Sequence, residues 1–315
     1  MKKNYLLLLT LSFIVSAAFG QPRIVDEPVK ILFSDEVSYM NAVWSPDGQM
    51  IAFSGDKHNG IWVVDADGKN LTKLTSDPGA GFGFSWSLDS KFILARSVFS
   101  QGFRKYHNVK LYDVRVGTEH LILEKSRNLK GLPVFSNGDG LVAMMLGKNM
   151  EKKSSGIPAL KNTGTPQKEA ILFSGALMPV LASSKVPVEV KFPEFKGRYV
   201  FNSAISPAGN KVVFQVSGLG LYVADVSGQN LKKLGKGEQA SWTPDGIYIV
   251  VTMVDDDGSR ITSGKLYTVN VQTGEYMPLL DKEDMVAMNP DISSDGKYLL
   301  FENSLDGAIY KARLK

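Results

Sequence analysis

Few residues of this sequence have the types and spacing that catalysis or metal binding requires. Its 315 residues contain three histidines, His58, His107 and His120, and no cysteine. The histidines lack the spacing that a helix or a hairpin imposes on metal ligands, and no Gly-x-Ser-x-Gly motif offers a nucleophilic serine. We therefore predict no metal site and no cofactor, with Ca²⁺ as the ion to expect if the protein is an enzyme.

Carboxylates are the other side chains of this sequence that could bind a cation or take part in catalysis. Four of them recur at equivalent places in turns, namely Asp47, Asp89, Asp245 and Asp295. A turn aspartate typically accepts hydrogen bonds from nearby backbone amides, so we predict a structural role for these four. The run Asp255-Asp256-Asp257 lacks the alternating ligands and terminal Glu of an EF-hand loop, which favours a solvated acidic loop. Catalysis by paired carboxylates stays open, because the sequence singles out no pair.

Recognition residues are expected in the connections between strands, where copies of the repeat described below differ most. The connection at 101–108 combines aromatic side chains, cations and an imidazole, and Tyr and Arg are favoured interface anchors. The candidate binding residues are His58, Phe82, Phe103, Arg104, Tyr106, His107, Asp255, Asp257 and Arg260.

The elements that position these residues are copies of an internal repeat. Its clearest copy is Ala42-Val43-Trp44-Ser45-Pro46-Asp47-Gly48, followed by apolar strands at 50–53, 61–64 and 71–74. Pro, Asp and Gly favour the turn, and the flanking β-branched and aromatic residues favour strands. Further copies are centred on Trp86, Phe135, Ile205, Trp242 and Ile292. Six four-stranded units predict an all-β fold, a six-bladed β-propeller of antiparallel blades.

The two ends of the chain predict how the ring closes. Leu32 lies as far before Trp44 as Leu74 lies before Trp86, so we interpret 29–33 as an outer strand without a blade of its own. The last repeat ends after three strands. We predict that the N-terminal strand completes the last blade, which removes an open sheet edge.

The copies centred on Phe135 and Ile205 lie unusually far apart. We therefore predict one propeller domain over 21–315 with an insertion or degenerate region at about 147–200. A degenerate seventh blade in this region is the alternative.

Three segments carry a family resemblance: the Trp-Ser-Pro-Asp-Gly turn at 44–48, Ile-Trp-Val-Val-Asp at 61–65 and Leu-Thr-Lys-Leu-Thr at 71–75. They resemble the WD40-like repeats of the TolB-like β-propeller family. The resemblance covers the propeller part only, because the family's N-terminal α/β domain has no counterpart between residue 21 and the first predicted strand. It implies a non-catalytic periplasmic module that docks a protein such as a peptidoglycan-associated lipoprotein.

The first twenty residues have the layout of a secretory signal peptide. Lys2 and Lys3 precede an apolar run at 5–18, which ends at Ala18-Phe19-Gly20. This run is too short for a membrane span, so we predict cleavage after Gly20, a periplasmic or secreted protein, and no integral membrane segment afterwards. The net charge of +4 comes from scattered basic residues, which predicts no nucleic-acid partner.

Together these features predict a monomeric, non-catalytic exported propeller that binds an envelope protein or peptide. The alternative is a propeller enzyme or ligand-binding protein that acts on a carbohydrate, lactone or ester with a divalent metal in its channel.

Overall fold

The computed structural model describes residues 20–136, 138–158, 170–173, 176–179, 190 and 192–315. The predicted signal peptide up to residue 19 lies outside the described residues. The described chain is almost entirely β-strand, with two short 3-10 helices at Asp56–His58 and Pro193–Phe195. It forms the predicted six-bladed β-propeller, in which each blade is an antiparallel sheet.

Four blades are built from four consecutive strands. Blade 1 contains β2 (Met40–Trp44), β3 (Met50–Ser54), β4 (Ile61–Asp65) and β5 (Thr72–Thr75). Blade 2 contains β6 (Ser85–Trp86), β7 (Phe92–Gln101), β8 (Arg104–Asp113) and β9 (Glu119–Ser126). Blade 4 contains β15 (Val200–Ile205), β16 (Lys211–Val216), β17 (Gly220–Asp225) and β18 (Lys232–Gly235). Blade 5 contains β19 (Glu238–Trp242), β20 (Tyr248–Asp256), β21 (Ile261–Asn270) and β22 (Tyr276–Leu280).

Blade 3 has three strands among the described residues: β10 (Leu129–Ser136), β11 (Leu141–Leu146) and β12 (Asn149–Ser154). The region predicted as an insertion or degenerate segment, about 147–200, includes β12, which is the third strand of blade 3. Beyond it, the described residues form only a two-stranded sheet, β13 (Ala170–Phe173) with β14 (Ala176–Pro179). The seventh blade is not formed by them, and the rest of 159–191 lies outside the described residues except residue 190.

Blade 6 is completed by the N-terminal strand, which confirms the predicted closure. It contains β23 (Ala287–Ile292), β24 (Tyr298–Asn303), β25 (Ala308–Arg313) and β1 (Val29–Leu32). Strand β1 runs antiparallel to β25, with Val29 opposite Lys311 and Leu32 opposite Ile309. Leu32 is buried in the same cluster as Ile309, so a side chain from each end of the chain seals the ring. This pairing covers the edge that β25 would otherwise expose.

The core consists of clusters that join adjacent blades. Trp86 of blade 2 is buried with Ala52 and Val63 of blade 1, and its indole N–H donates to the Val43 carbonyl at 3.3 Å. Trp242 of blade 5 makes the equivalent bond to the Ala204 carbonyl of blade 4 at 2.9 Å. The repeated tryptophans therefore fasten one blade to the preceding one, with the indole N–H satisfied in these two copies.

In four blades a bulge recurs near the start of the first strand. Three residues before Trp44, Ile205, Trp242 and Ile292, the backbone φ is positive, and the pairing register shifts there. The residues at these bulges all carry side-chain amides: Asn41, Asn202, Gln239 and Asn289. A bulge re-aims a side chain away from the regular pleat, so the repeat itself prepares a ring of amides. In blade 2 the same place is taken by Gly83 and in blade 3 a neighbouring place by Gly131.

Candidate functional site

The propeller has two different faces. The Pro-Asp-Gly turns and the connections between third and fourth strands lie on one, which we call the turn face. The connections between second and third strands and the links between blades lie on the other, which we call the crossover face. The first strands begin at the crossover face, so the amide bulges surround the channel on this side.

Two hairpins extend from the crossover face. In blade 2, β7 and β8 have ten residues each, and in blade 5, β20 has nine and β21 ten, whereas β3 and β4 have five. The extra residues lengthen each hairpin by roughly 13–16 Å at about 3.3 Å per residue. Blades 2 and 5 are three blades apart in a ring of six. The two hairpins therefore project from opposite sides of the channel.

The central channel opens on the crossover face, and we call this opening the channel mouth. It contains a buried carboxyl group. Glu302 of β24 is 8% exposed, and its Oε2 accepts the backbone N–H of Asn41 from blade 1 at 3.1 Å. Its other oxygen accepts a hydrogen bond from the side-chain amide of Asn289. Burial raises the pKa of Glu302 to about 7, against the lowering effect of the Asn41 N–H. The mouth thus holds an acid that can exchange a proton near neutral pH.

Amides continue this hydrogen-bonded arrangement around half of the ring. The Asn289 backbone N–H donates to Gln239 Oε1 at 3.0 Å, and the Gln239 N–H donates to Gln215 Oε1 at 3.4 Å. Asn202 donates to the same Gln215 oxygen at 2.6 Å. Blades 4, 5, 6 and 1 are therefore tied together by side chains at the mouth. These groups can donate and accept hydrogen bonds to a polar ligand or to a partner's backbone.

His58 and Phe82, both predicted binding residues, meet beside this ring. Their ring centroids are 5.1 Å apart in an edge-to-face arrangement. His58 Nδ1 lies 3.0 Å from the Asn41 side-chain nitrogen, which also donates to the Gly81 carbonyl at 3.2 Å. Burial lowers the pKa of His58, so the neutral imidazole is favoured and can accept the Asn41 amide hydrogen.

Arg96 lies beside the channel opening on the blade 2 side. Its guanidinium lies 5.8 Å from the Phe82 ring centroid and donates to the Gly131 carbonyl of blade 3 at 3.0 Å. Burial lowers the pKa of Arg96. Arg96 in β7 occupies the register position that Glu302 occupies in β24, so the mouth carries a cation and an acid at equivalent places of two blades.

The four candidates of the blade 2 hairpin do not share one environment. Phe103 and Arg104 lie exposed at its tip. Tyr106 stacks on Phe99 with centroids 5.5 Å apart, and the Lys125 amine lies 5.4 Å from the Tyr106 ring centroid. His107 is half-buried, and burial, Arg96, Lys105 and Lys130 all lower its pKa. The tip thus offers an exposed aromatic side chain among cations.

The candidates of blade 5 lie at the tip of the other hairpin. Asp257 accepts the backbone N–H groups of Ser259 and Arg260 at 2.9 Å and 3.0 Å, and the Arg260 guanidinium lies 3.6 Å from its other oxygen. Hydrogen bonds from Ser259 lower the pKa of Asp257 to about 2. Asp255 is exposed on β20, before the turn. The structure does not bring these residues together with His58 or Phe82.

The four turn aspartates lie on the turn face, away from the mouth. In each, one oxygen accepts the hydroxyl of the residue two positions earlier and a backbone N–H two positions later. The hydroxyl distances are 2.6 Å for Asp47, 2.7 Å for Asp89, 2.5 Å for Asp245 and 2.7 Å for Asp295. The backbone distances are 3.0, 3.2, 2.9 and 3.0 Å in the same order.

Sequence reasoning did not single out Asn41, Asn289 and Glu302. A signal for the amides was present, because Asn or Gln stands three residues before the centre of four repeat copies. No comparable signal marks Glu302, since the matching residues of other blades include Ser54, Arg96 and Thr252.

In the part of the chain that the structure describes, no three His, Asp or Glu side chains converge as metal ligands. No helix among those residues is long and apolar enough to span a membrane.

Comparisons with known proteins agree with the propeller. No protein-family model and no curated protein matches the sequence. An oligogalacturonate lyase from Vibrio parahaemolyticus gives a TM-score of 0.60 at 15% identity, over 92% of this chain and 95% of that one. The Cps50 (Swd1) propeller domain of Myceliophteria thermophila gives 0.60 at 11%, over 91% and 100%. TolB from Acinetobacter baumannii gives 0.49 at 16%, over 88% of this chain and 63% of TolB.

Identities this low show the fold alone. The class that fold and site define is a six-bladed β-propeller with a polar channel mouth and two projecting hairpins on its crossover face. The comparisons support the propeller fold and no particular family or activity.

Proposed function

We propose that this chain is an exported, non-catalytic propeller of the TolB-like kind that binds a protein partner in the cell envelope through its crossover face. Support for export comes from the signal-like residues 1–20, and support for the family comes from the repeats centred on Trp44 and Trp242. The observation that carries the proposal is the pair of long hairpins, one of which presents a fully exposed Phe103. A large aromatic side chain in this position is an anchor that a partner's pocket can bury.

The proposal predicts where a partner touches the propeller. A photoreactive amino acid at position 103 is expected to crosslink an envelope protein in cells that make this protein. The matched control is position 116, because Val116 is also exposed and apolar, belongs to the same blade, and lies on the turn face. Equal adducts at 103 and 116, or none at 103, contradict the proposal.

A ligand-binding or enzymatic role on a carbohydrate, lactone or ester is the second candidate. The observation that favours it is the channel mouth, where Glu302 and a set of amides present hydrogen-bonding groups around one opening. In its metal-dependent form this role requires a tightly held divalent ion in the purified protein. Elemental analysis of the full chain, with and without the Glu302→Gln substitution, tests that form directly. A stoichiometric ion in the parent protein that the variant loses would favour it over protein docking.

A further inference from the structure

The crossover ends of blades 2 and 3 carry a cluster of basic side chains. Six exposed cations lie at the crossover ends of blades 2 and 3, and we call them the basic arc: Arg104, Lys105, Lys125, Arg127, Lys130 and Lys148. Their positions in the strands place them at the hairpin tip of blade 2, the link to blade 3 and the β11–β12 turn. None of the six forms an ion pair with another described residue. Two exposed acids lie near these cations: Glu124 on β9, and Glu151 on β12, three residues after Lys148.

The crossover end of blade 5 and its link to blade 6 carry a cluster of acidic side chains. Six exposed carboxylates lie at the hairpin tip of blade 5 and in its link to blade 6, and we call them the acidic arc: Asp255, Asp256, Asp257, Asp281, Glu283 and Asp284. Three cations lie nearby, and each is already engaged: Arg260 with Asp257, Lys265 with Asp281, and Lys282 with Glu27. Asp255, Asp256, Glu283 and Asp284 form no ion pair with the residues that the structure describes.

The hairpin tips of the two arcs, at Arg104 and Lys105 and at Asp255 to Asp257, have a geometric relation that makes them complementary to each other. They lie on opposite sides of one channel, on hairpins that project by a similar length. A twofold axis in the plane of the face places blade 2 of one copy against blade 5 of a second copy. The same operation places blade 5 of the first copy against blade 2 of the second, as an isologous interface requires. Opposite charges then meet twice, and Arg260, the cation of the blade 5 tip, is already paired with Asp257.

We propose that two copies of this chain dock crossover face to crossover face, with the blade 2 hairpin tip of each copy against the blade 5 hairpin tip of the other. The inference does not depend on the proposed function, although the dimer would cover the surface offered to an envelope partner. Because the paired charges are exposed, ionic strength screens their attraction, with a Debye length of about 30 Å at 0.01 M and about 3 Å at 1 M salt. Association is therefore strong at low salt and weak at high salt.

The test uses charge reversal in the full mature chain. Variant one carries Arg104→Glu with Lys105→Glu, and variant two carries Asp255→Lys with Asp256→Lys. Each variant alone opposes like charges at both hairpin contacts, so each is expected to dissociate at least tenfold more readily than the parent protein. An equimolar mixture restores opposite charges at both contacts, so it is expected to form the heterodimer. Analytical ultracentrifugation at low and high salt measures all of these states.

The control reverses two charges away from the face, Lys73→Glu with Lys233→Glu, on the exposed outer strands β5 and β18. This variant is expected to dimerise like the parent protein. Recovery of the heterodimer shows that both face variants are folded. A parent protein that stays monomeric at low salt, face variants that dimerise like the parent, or a mixture that forms no heterodimer each overturns the proposal. These outcomes test the dimer alone. Crosslinking of an envelope protein at position 103 tests the proposed function separately.

Discussion

The Glu302 carboxylate and the Asn41 backbone N–H, 261 positions apart in the chain, are joined by a hydrogen bond of 3.1 Å. The bond crosses the junction between blade 6 and blade 1, where the N-terminal and C-terminal strands close the ring. Glu302 therefore lies where the ring of blades closes, and burial raises its pKa.

The first prediction concerns how this acid affects stability with pH. The folded-state pKa of about 7 lies above the ordinary value of 4.5, so the folded protein binds the extra proton between these values. The contribution of Glu302 to the free energy of unfolding is fully present below pH 4.5 and is lost as the pH rises through 7. We compare the change in free energy of unfolding that Glu302→Gln causes at two pH values. This change is expected to be more stabilising at pH 8 than at pH 4, by up to roughly 3 kcal/mol. Urea unfolding of both proteins at the two pH values measures the difference.

Gln215 supplies the matched control for this prediction. It occupies the equivalent position of β16, and its oxygen accepts the Gln239 N–H as Glu302 accepts that of Asn41. Gln215→Glu is expected to destabilise the protein more at pH 8 than at pH 4, because it introduces a second buried acid. An effect of Glu302→Gln that is the same at both pH values contradicts the assignment.

The second prediction concerns ring closure. Leu32 of β1 is 6% exposed and packs in the cluster that contains Ile309, whereas Val29 of the same strand is 60% exposed. Leu32→Ala is expected to lower the free energy of unfolding by about 2–4 kcal/mol through lost burial and a residual cavity. Val29→Ala is expected to change it by less than about 0.5 kcal/mol. Equal effects of the two substitutions in denaturant unfolding would show that β1 does not seal the last blade.

The third prediction separates two tryptophans at equivalent repeat positions. Both are 6% exposed, but Trp242 Nε1 donates to the Ala204 carbonyl, while Trp44 Nε1 has no hydrogen-bond partner among the described residues. Replacement by Phe removes a hydrogen bond only at Trp242. Trp242→Phe is therefore expected to cost about 1 kcal/mol more than Trp44→Phe, because it leaves a carbonyl unpaired. Thermal or urea unfolding of the two variants provides the comparison, and a larger loss for Trp44→Phe would refute it.

The fourth prediction addresses a turn aspartate. Burial raises the pKa of Asp295, but hydrogen bonds from Ser293 and Lys297 outweigh this effect and lower it. Asp295→Ala removes the acceptor of both bonds and is expected to cost about 1 kcal/mol. Asp295→Asn keeps an oxygen acceptor and is expected to retain most of that stability in the same unfolding assay. If both variants lose the same amount, the turn does not depend on the acceptor.

The sequence alone determined the blades and their closure. Turn residues such as Pro46 and Gly48 and the apolar strands beside them are local signals, and repetition makes each copy confirm the others. The spacing of Leu32 from Trp44 was enough to place the N-terminal strand, because an outer strand has a fixed position within a repeat. The contact of His58 with Phe82 did not follow from such signals, although both residues were selected from their loops.

The tertiary structure decided which side chains meet at the channel mouth and what that does to them. Glu302 is an ordinary strand residue in the sequence, and its raised pKa exists only because closure of the ring buries it beside Asn41 and Asn289. The opposition of the two hairpins likewise follows from the angular positions of blades 2 and 5. Local residue preferences specify strands and turns, whereas burial, electrostatics and the juxtaposition of distant residues arise only once the blades form a ring.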